Sequence, residues 1–102
     1  MIIYNVTVFI DESIHSKWIK WTKHEYIPKI LSTKLFLKAV LSRVISNEEL
    51  TYTIAFYAKS SSQLKLFKKN YSSFLKQKSF KKCGDVAPSF KSEIEFIDEF
   101  VK

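Results

Sequence analysis

The stretch IIYNVTVFIDESIHSKWIKW, residues 2–21, decides the fold of this protein. Residues 2–10 are mostly apolar and rich in Ile and Val, which is typical of a β-strand with both faces covered. The acidic pair that follows suits the positive end of a helix, and either Asp11 or Ser13 can cap the first turn. The stretch therefore predicts a strand that leads into a helix carrying Trp18 and Trp21.

The end of this helix is marked by Tyr-Ile-Pro at residues 26–28. Proline cannot donate a backbone hydrogen bond, and it disfavours the helical conformation at the residue before it. We therefore expect the helix to be interrupted at Pro28 and to be followed by a short turn through Ile30 and Leu31. A second apolar strand is predicted over residues 36–46, which completes a βαβ unit.

The rest of the chain continues as strand, helix and strand. Residues 47–49 predict a hairpin turn, and residues 51–58 predict a third strand rich in Thr, Tyr and Phe. The sequence Ser60-Ser-Ser-Gln63 is a capping box that predicts the start of a second helix. The apolar stripe of that helix consists of Leu64, Phe67, Tyr71, Phe74 and Leu75. Gly84, the only glycine, is expected to end the helical region, and residues 90–97 alternate as a fourth strand.

Two helices that cross between four strands in this order predict a ferredoxin-like βαββαβ sandwich of the α+β class. The helices would cover one face of a four-stranded antiparallel sheet. The other face should be polar if it met water, but the first three strands carry apolar side chains on both faces. The sequence therefore predicts one domain, residues 1–102, that forms a homodimer through the open sheet face, a dimeric α/β barrel.

Composition excludes several classes of protein. Hydrophobic residues make up 46% of the chain and aromatic residues 16%, which excludes a disordered protein. No apolar run approaches the roughly 20 residues that span a bilayer, and no basic region precedes the first strand. We therefore expect neither a membrane span nor a signal peptide. Cys83 is the only cysteine, so no intramolecular disulfide can form and the cytoplasm is the expected location.

The net charge of +7 has two interpretations. Residues 50–84 contain eight Lys and no acidic residue, which is a pattern of nucleic-acid or anionic-surface sites. The chain also uses Gly once and Arg once while Lys, Ile, Phe and Ser are abundant, which is typical of an AT-rich coding background. We favour the second interpretation, so nucleic acid is not the expected partner.

The first third of the chain resembles a known family. MIIYNVTV at residues 1–8, IDESIH at residues 10–15, Trp18-x-x-Trp21 and Ile27-Pro-x-Ile-Leu31 are similar to a family of short bacterial proteins of uncharacterised function. That family is placed among the dimeric α/β-barrel proteins with a ferredoxin-like fold. The resemblance is specific over residues 1–36 and rests mainly on pattern beyond them. It implies the fold and the dimer, and it implies no activity.

This chain departs from the family pattern at two places. Members tend to have His directly before the Ile-Pro pair, where this chain has Tyr26, with His24 two residues earlier. Members also tend to have Gly where this chain has Ser-Thr-Lys at residues 32–34. A role that depends on that His or Gly is therefore not implied here.

Six residues are candidates for a pocket between the sheet and the helices: Asn5, Trp18, Trp21, His24, Tyr26 and Arg43. Asn5 is polar within an apolar strand, so a ligand or a neighbouring residue must satisfy it if it is buried. The two tryptophans either wall a pocket or belong to the core. His24 can act as a base near neutral pH or lie exposed on its helix. The Tyr26 hydroxyl needs a partner if buried, and Arg43 can point to a pocket or to a dimer salt bridge.

The motifs of common catalytic sites are missing from the sequence. Two His and one Cys make no convincing metal site, and a single Gly excludes a phosphate-cradling loop. No nucleophile, base and orienting group can be assembled. The sequence therefore predicts no catalytic residue, no metal and no cofactor.

Three hypotheses for the function remain. The first is a dimeric barrel of unknown function that either has a non-catalytic role or binds a small hydrophobic ligand between sheet and helices. The second is a cofactor-independent enzyme like the monooxygenases or isomerases of the dimeric α/β-barrel superfamily. The third is an RNA-binding module, because the RNA-recognition motif shares the βαββαβ order, although the third strand lacks its Lys/Arg-Gly-Phe/Tyr pattern. The missing motifs favour the first hypothesis.

Overall fold

The computed structural model describes residues 1–45, 48–71 and 90–102. Several predicted features lie outside the described residues. They are the last residue of the second strand, the first residue of the hairpin turn, the predicted helix end at Gly84, and the side chains of Phe74, Leu75 and Cys83.

The described residues form a four-stranded antiparallel sheet with its helices packed on one face, so the predicted ferredoxin-like fold is confirmed. The strands are β1 (Ile2–Ile10), β2 (Lys38–Arg43), β3 (Leu50–Ala58) and β4 (Phe90–Glu95). The helices are a 3-10 turn (Glu12–Ile14), α1 (His15–Trp21), a π-helix (Thr22–Tyr26), α2 (Ile27–Leu31) and α3 (Ser61–Asn70). The strand order across the sheet is β2-β3-β1-β4, which places β1 and β3 in the centre.

The core lies between the central strands and the helices. Alternate residues of β1 and β3 point to this side, because side chains alternate between the faces of a strand. The buried members are Tyr4, Val6, Val8 and Ile10 in β1 and Tyr52, Ile54, Phe56 and Ala58 in β3. The helices contribute Trp18, Trp21, Ile30, Leu64 and Phe67. The 3-10 turn starts as predicted, since the Asp11 carboxylate accepts a hydrogen bond from the Ser13 N–H at 2.9 Å.

The expected interruption of the first helix at Pro28 was wrong. Helical backbone continues through Tyr26 and Ile27, and residues that we expected to form a turn belong to α2. The disturbance lies one turn earlier, where the Ile27 N–H donates to the Thr22 carbonyl five residues before it. Proline inside a helix lacks its own donor and clashes with the carbonyl four residues before it. The wider π turn directly before Pro28 makes room for that ring without ending the helix.

The bounds of β2 and β4 also differ from those predicted. β2 begins at Lys38 rather than at residue 36, because Phe36 leaves the strand alternation and packs in the core. Its ring lies 5.3 Å from that of Phe56 and 4.9 Å from that of Phe67. β4 ends at Glu95, although the Phe96 N–H still donates to the Met1 carbonyl at 2.9 Å.

Lys34 is in a conformation that favours glycine. Its φ angle is 63°, within the left-handed region where a Cβ atom approaches the following carbonyl. The connection from α2 to β2 therefore carries local strain in this chain.

The face of the sheet opposite the helices carries few charged side chains. It presents Ile3, Asn5, Thr7 and Phe9 from β1, Thr53, Ala55 and Tyr57 from β3, Lys38, Val40 and Ser42 from β2, and Phe90, Ser92 and Ile94 from β4. We call this set the open sheet face. Phe90 contacts Phe9 edge-to-face at 5.8 Å, so apolar side chains form a continuous area across two strands.

Among the described residues, no helix is long and apolar enough to cross a membrane.

Candidate functional site

The first helix places an aromatic row against the sheet. Trp18 and Trp21 are both buried, since residues three apart lie on the same side of a helix. The Trp18 ring lies 5.3 Å from the ring of Tyr52 on β3. The Trp21 ring lies 4.9 Å from that of Tyr26, with the two planes 34° apart. The π-helix makes the second contact possible, because it sets the position of Tyr26 relative to Trp21.

Two polar atoms in this region are buried without a hydrogen-bond partner. They are the indole nitrogen Nε1 of Trp21 and the hydroxyl Oγ1 of Thr22, in the part of the chain that the structure describes. Thr22 has 0% of its surface exposed. Buried polar groups are nearly always hydrogen-bonded, and an unpaired one costs about 1–3 kcal/mol. Such a cost at two consecutive residues indicates a place where a water or a ligand supplies the partner. We call Trp21, Thr22 and Tyr26 the π-helix site.

Tyr26 is the titratable member of the π-helix site. Burial raises its pKa to about 12, and the neighbouring Tyr4 phenol acts in the same direction. The phenol is therefore neutral at physiological pH and offers an O–H donor together with acceptor lone pairs. A group with this pKa is a poor general base near pH 7. The chemistry that the site supports is hydrogen bonding within an apolar environment.

The six residues that the sequence singled out do not all meet. Trp21 and Tyr26 are in contact, and Trp18 lies one turn earlier on the same helix. Asn5 belongs to the open sheet face, in register with Ala55 and Ser92, so the sheet separates it from the helices. His24 and Arg43 are exposed, and Arg43 is the last residue of β2, opposite Tyr52. The assignment of a ligand pocket to these residues stays a prediction.

A second polar contact joins the helix to the sheet. His15 Nε2 and the Tyr52 hydroxyl are 2.6 Å apart, and the two rings lie 5.5 Å apart. A hydrogen bond between residues 37 positions apart in the sequence fixes the start of α1 on β3. Tyr52 therefore contacts both His15 and Trp18, which packs the start of α1 against β3.

Sequence reasoning overlooked Thr22. The available signal was its spacing, because Thr22 follows Trp18 by four residues and residues four apart share a helix face. A threonine on the face that carries tryptophan is buried when that face packs against the sheet. Its lack of a partner depends on side chains from other elements, and no spacing rule reports it.

The family assignment follows from a comparison with family models. The model described as "Domain of unknown function (DUF4286)" matches residues 1–97. The chain belongs to this family. The match extends over the whole sandwich, which confirms the resemblance seen in the sequence and assigns no activity. No curated protein matches the sequence.

Solved structures with the same fold are distant in sequence. A Deinococcus radiodurans protein, provisionally assigned as an antibiotic biosynthesis monooxygenase, is 10% identical over 100% of this chain and 98% of its own, with a TM-score of 0.72. A dimeric ferredoxin-like protein from an uncultured marine organism is 19% identical over 99% of this chain and 91% of its own, with a TM-score of 0.64.

A third similar structure is a variant of MhuD with two manganese protoporphyrin IX molecules bound per active site. It is 11% identical over 100% of both chains, with a TM-score of 0.72. At these identities the similarity shows the fold alone. Proteins of one fold carry many activities, so the function must be argued from this chain's own residues.

Proposed function

We propose that this protein binds a small, largely apolar molecule with a hydrogen-bond acceptor at the π-helix site, between the first helix and the sheet. The observation that carries the proposal is a pair of buried polar atoms, Trp21 Nε1 and Thr22 Oγ1, that have no hydrogen-bond partner among the described residues. Their desolvation destabilises the free protein, and a ligand that completes the hydrogen bonds recovers that free energy.

The groups at the π-helix site define the class of ligand. The Trp21 indole can only donate a hydrogen bond, whereas the hydroxyls of Thr22 and Tyr26 can donate or accept. All three are uncharged, because the raised pKa of Tyr26 keeps its phenol protonated. Trp21 belongs to the hydrophobic core and Tyr26 packs against it, so an ionised ligand on this side would lose its hydration without an opposite charge. A neutral aromatic molecule with a carbonyl oxygen fits these groups best.

The π-helix itself supports a ligand-binding role. Short π segments within α-helices occur frequently at functional sites. Here the π segment spans Thr22–Tyr26, which includes two of the three members of the site. A regular helix would place Tyr26 about one residue further around the axis and would change its contact with Trp21.

A pair of matched ligands tests the proposal. 2-Acetylnaphthalene carries the carbonyl acceptor and naphthalene does not, while their aromatic areas are alike. We expect 2-acetylnaphthalene to shift the ¹H–¹⁵N signal of the Trp21 indole and to bind about tenfold or more tightly than naphthalene. Trp21→Phe removes one of the donors and should weaken this preference, because only the hydroxyls of Thr22 and Tyr26 remain to donate. Trp18→Phe, the same change one turn earlier, should retain it. Equal binding of both ligands, or an unchanged Trp21 signal, would count against the proposal.

We also propose that the chain forms a homodimer through the open sheet face. Phe90 and Ile94 on β4 and Val40 on β2 are all exposed large apolar residues of this face. Exposed apolar areas of this kind mark interfaces in soluble proteins. A second sheet packed face to face would cover them at the usual spacing of about 10 Å. Size-exclusion chromatography with multi-angle light scattering is expected to give twice the chain mass of 12.0 kDa. A monomer at all concentrations would contradict the dimer.

The two alternatives from the sequence gain no specific observation. For the enzyme hypothesis, burial raises the pKa of Tyr26 to about 12 and His24 is exposed, so neither of these two candidates is favoured as a base at the π-helix site. For the RNA-binding hypothesis, Tyr57 on the open sheet face carries the Lys38 ammonium over its ring at 4.7 Å. That cation occupies the ring face on which a base would stack. Both hypotheses stay predictions.

A further inference from the structure

A second group of rings lies at the start of α1. It consists of His15, Trp18 and Tyr52, and we call it the histidine cluster. His15 Nε2 and the Tyr52 hydroxyl are 2.6 Å apart. The Tyr52 ring lies 5.5 Å from that of His15 and 5.3 Å from that of Trp18. The π-helix site includes none of these three side chains, so the histidine cluster is a separate feature of the molecule.

The hydrogen bond of the histidine cluster joins a proton donor to a base. A tyrosine phenol donates its O–H, and a neutral imidazole that carries its proton on Nδ1 accepts at Nε2. Proton transfer requires a separation of about 2.6–3.2 Å between the two heavy atoms, and the observed 2.6 Å meets this requirement. Imidazole also accepts protons near neutral pH. Tyr52 can therefore give its phenolic proton to His15 without a rearrangement of either side chain.

A base in this position matters most when a phenol loses an electron. A phenol that has lost one electron is a strong acid, so a base that is already hydrogen-bonded to it lowers the free energy of oxidation. Tyr26 provides the comparison within this chain, because its ring neighbour is Trp21 rather than a histidine. Burial raises the pKa of Tyr26 to about 12, which disfavours loss of its proton. Oxidation should therefore be easier at Tyr52 than at Tyr26.

We propose that Tyr52 is a redox-active tyrosine whose proton acceptor is His15. An outer-sphere one-electron oxidant, such as a small oxidising radical or a photo-oxidised metal complex, removes one electron from the Tyr52 ring. The phenolic O–H bond breaks while the proton forms a bond to His15 Nε2. The products are a neutral tyrosyl radical, an imidazolium and the oxidant reduced by one electron. Return of an electron to the radical sends the proton back to the Tyr52 oxygen.

Trp18 extends the path for electrons into the core. Its side chain is 2% exposed, and its ring lies within the range of centroid distances found for interacting aromatic pairs. Tyr52 is 8% exposed, whereas His15 is half-buried. An electron that passes from Tyr52 to an oxidised Trp18 restores the indole and leaves the radical on Tyr52. The histidine cluster therefore carries oxidising equivalents away from the core tryptophan.

A photosensitiser fixed beside the histidine cluster tests the proposal. In a Cys83→Ser background, Lys17→Cys carries a ruthenium polypyridyl complex, because Lys17 is exposed and directly precedes Trp18. A flash in the presence of a soluble electron acceptor then produces the oxidant at this one position. Electron paramagnetic resonance with ring-deuterated tyrosine identifies a tyrosyl radical. We expect Tyr52→Phe to remove this signal and Tyr26→Phe, the matched control, to retain it.

The rate of radical formation tests the part of His15. His15→Gln keeps an oxygen that accepts the phenol hydrogen bond, but an amide takes up no proton at neutral pH. General-base assistance contributes about 10²–10⁴-fold, so we expect the radical to form at least about a hundredfold more slowly in this variant. With His15 in place, deuterium oxide should slow the reaction, because the O–H bond breaks in the same step. This second measurement needs no change at His15 and decides the matter if His15→Gln does not fold.

A hydrogen bond that only anchors α1 on β3 would give different results. A tyrosyl signal that persists in Tyr52→Phe places the radical on another tyrosine and overturns the proposal. The absence of any tyrosyl signal also overturns it. Equal rates in His15→Gln and in the protein with His15, or equal rates in the two solvents, would show that His15 receives no proton as the electron leaves.

Discussion

Replacing Thr22 with valine should stabilise the free protein. Thr22 is 0% exposed and its Oγ1 has no hydrogen-bond partner among the described residues. Valine has nearly the same shape, with a methyl group in place of the hydroxyl, so it removes the desolvation penalty without leaving a cavity. The helix propensities of Thr and Val are also similar, so the backbone contributes little to the difference.

The size of the effect follows from the cost of a buried unpaired hydroxyl. Protein mutation data place that cost at about 1–3 kcal/mol. Valine packs less favourably wherever the hydroxyl met polar atoms, so we expect a gain of about 1–2 kcal/mol. For a domain of this length each kilocalorie per mole corresponds to about 4–8 °C in Tm. Thr22→Val should therefore raise Tm by about 4–16 °C and weaken the preference for 2-acetylnaphthalene.

Urea unfolding and calorimetry at a fixed protein concentration measure the change, since the stability of a dimer depends on concentration. Thr33→Val is the matched control. The Thr33 hydroxyl donates to the Ile30 carbonyl at 2.7 Å and accepts from the Leu35 N–H at 3.3 Å. The same substitution there removes satisfied bonds and should cost about 1 kcal/mol.

The two variants should move stability in opposite directions. If Thr22→Val lowers stability as much as Thr33→Val, the Thr22 hydroxyl has a partner in the free protein. The proposed binding site would then lose the observation that carries it. An unchanged Tm would indicate that a bound water forms a hydrogen bond with the Thr22 hydroxyl and offsets the cost of its burial. The effect of the substitution on the preference for 2-acetylnaphthalene would then show whether a ligand replaces that water.

Two further predictions concern the helix and its exit. The pKa of Tyr26 is raised from 10.0 to about 12, so its neutral phenol contributes stability that is fully present below about pH 10 and is lost as pH rises through 12. Between about pH 9 and about pH 12, the free energy of unfolding in urea should therefore fall by about 1–2 kcal/mol less in Tyr26→Phe than in the wild-type protein. An equal fall in the two proteins would contradict this. Lys34→Gly should raise the free energy of unfolding by up to about 1 kcal/mol, because Gly tolerates the φ of 63° at this position. Lys34→Ala is the control, since it keeps the Cβ atom and should show no gain. Equal stabilities of the Gly and Ala variants would show that the strain is negligible.

Local patterns predicted most of the fold. The alternation of β1, the cap at Asp11 and the burial of Leu64 and Phe67 in α3 depend on neighbours in the sequence, and the structure confirms each of them. The Pro28 prediction was wrong because local propensity treats proline as the end of a helix. The chain instead inserts a wider turn, and the packing of both helix segments on the sheet outweighs the local cost.

The candidate site was less predictable than the fold. Trp21 and Tyr26 were singled out from the sequence and are in contact, whereas Asn5 lies on the other face of the sheet. Residue type alone did not show which of the candidate residues line a pocket, because an aromatic side chain at helical spacing fits a core and a pocket equally well. Thr22 was overlooked for the same reason, since its hydroxyl is unremarkable until its surroundings are known.

The sequence by itself determined the order of the elements and the two apolar faces of the sheet. Both follow from periodicities of one strand or one helix, which are properties of neighbouring residues. Tertiary structure alone decided which polar groups of the first helix are buried without a hydrogen-bond partner in the described part of the chain. Whether Trp21 and Thr22 find one depends on side chains from strands distant in the sequence. Desolvation is a property of the whole packed environment, so the π-helix site exists only once the helix lies on the sheet.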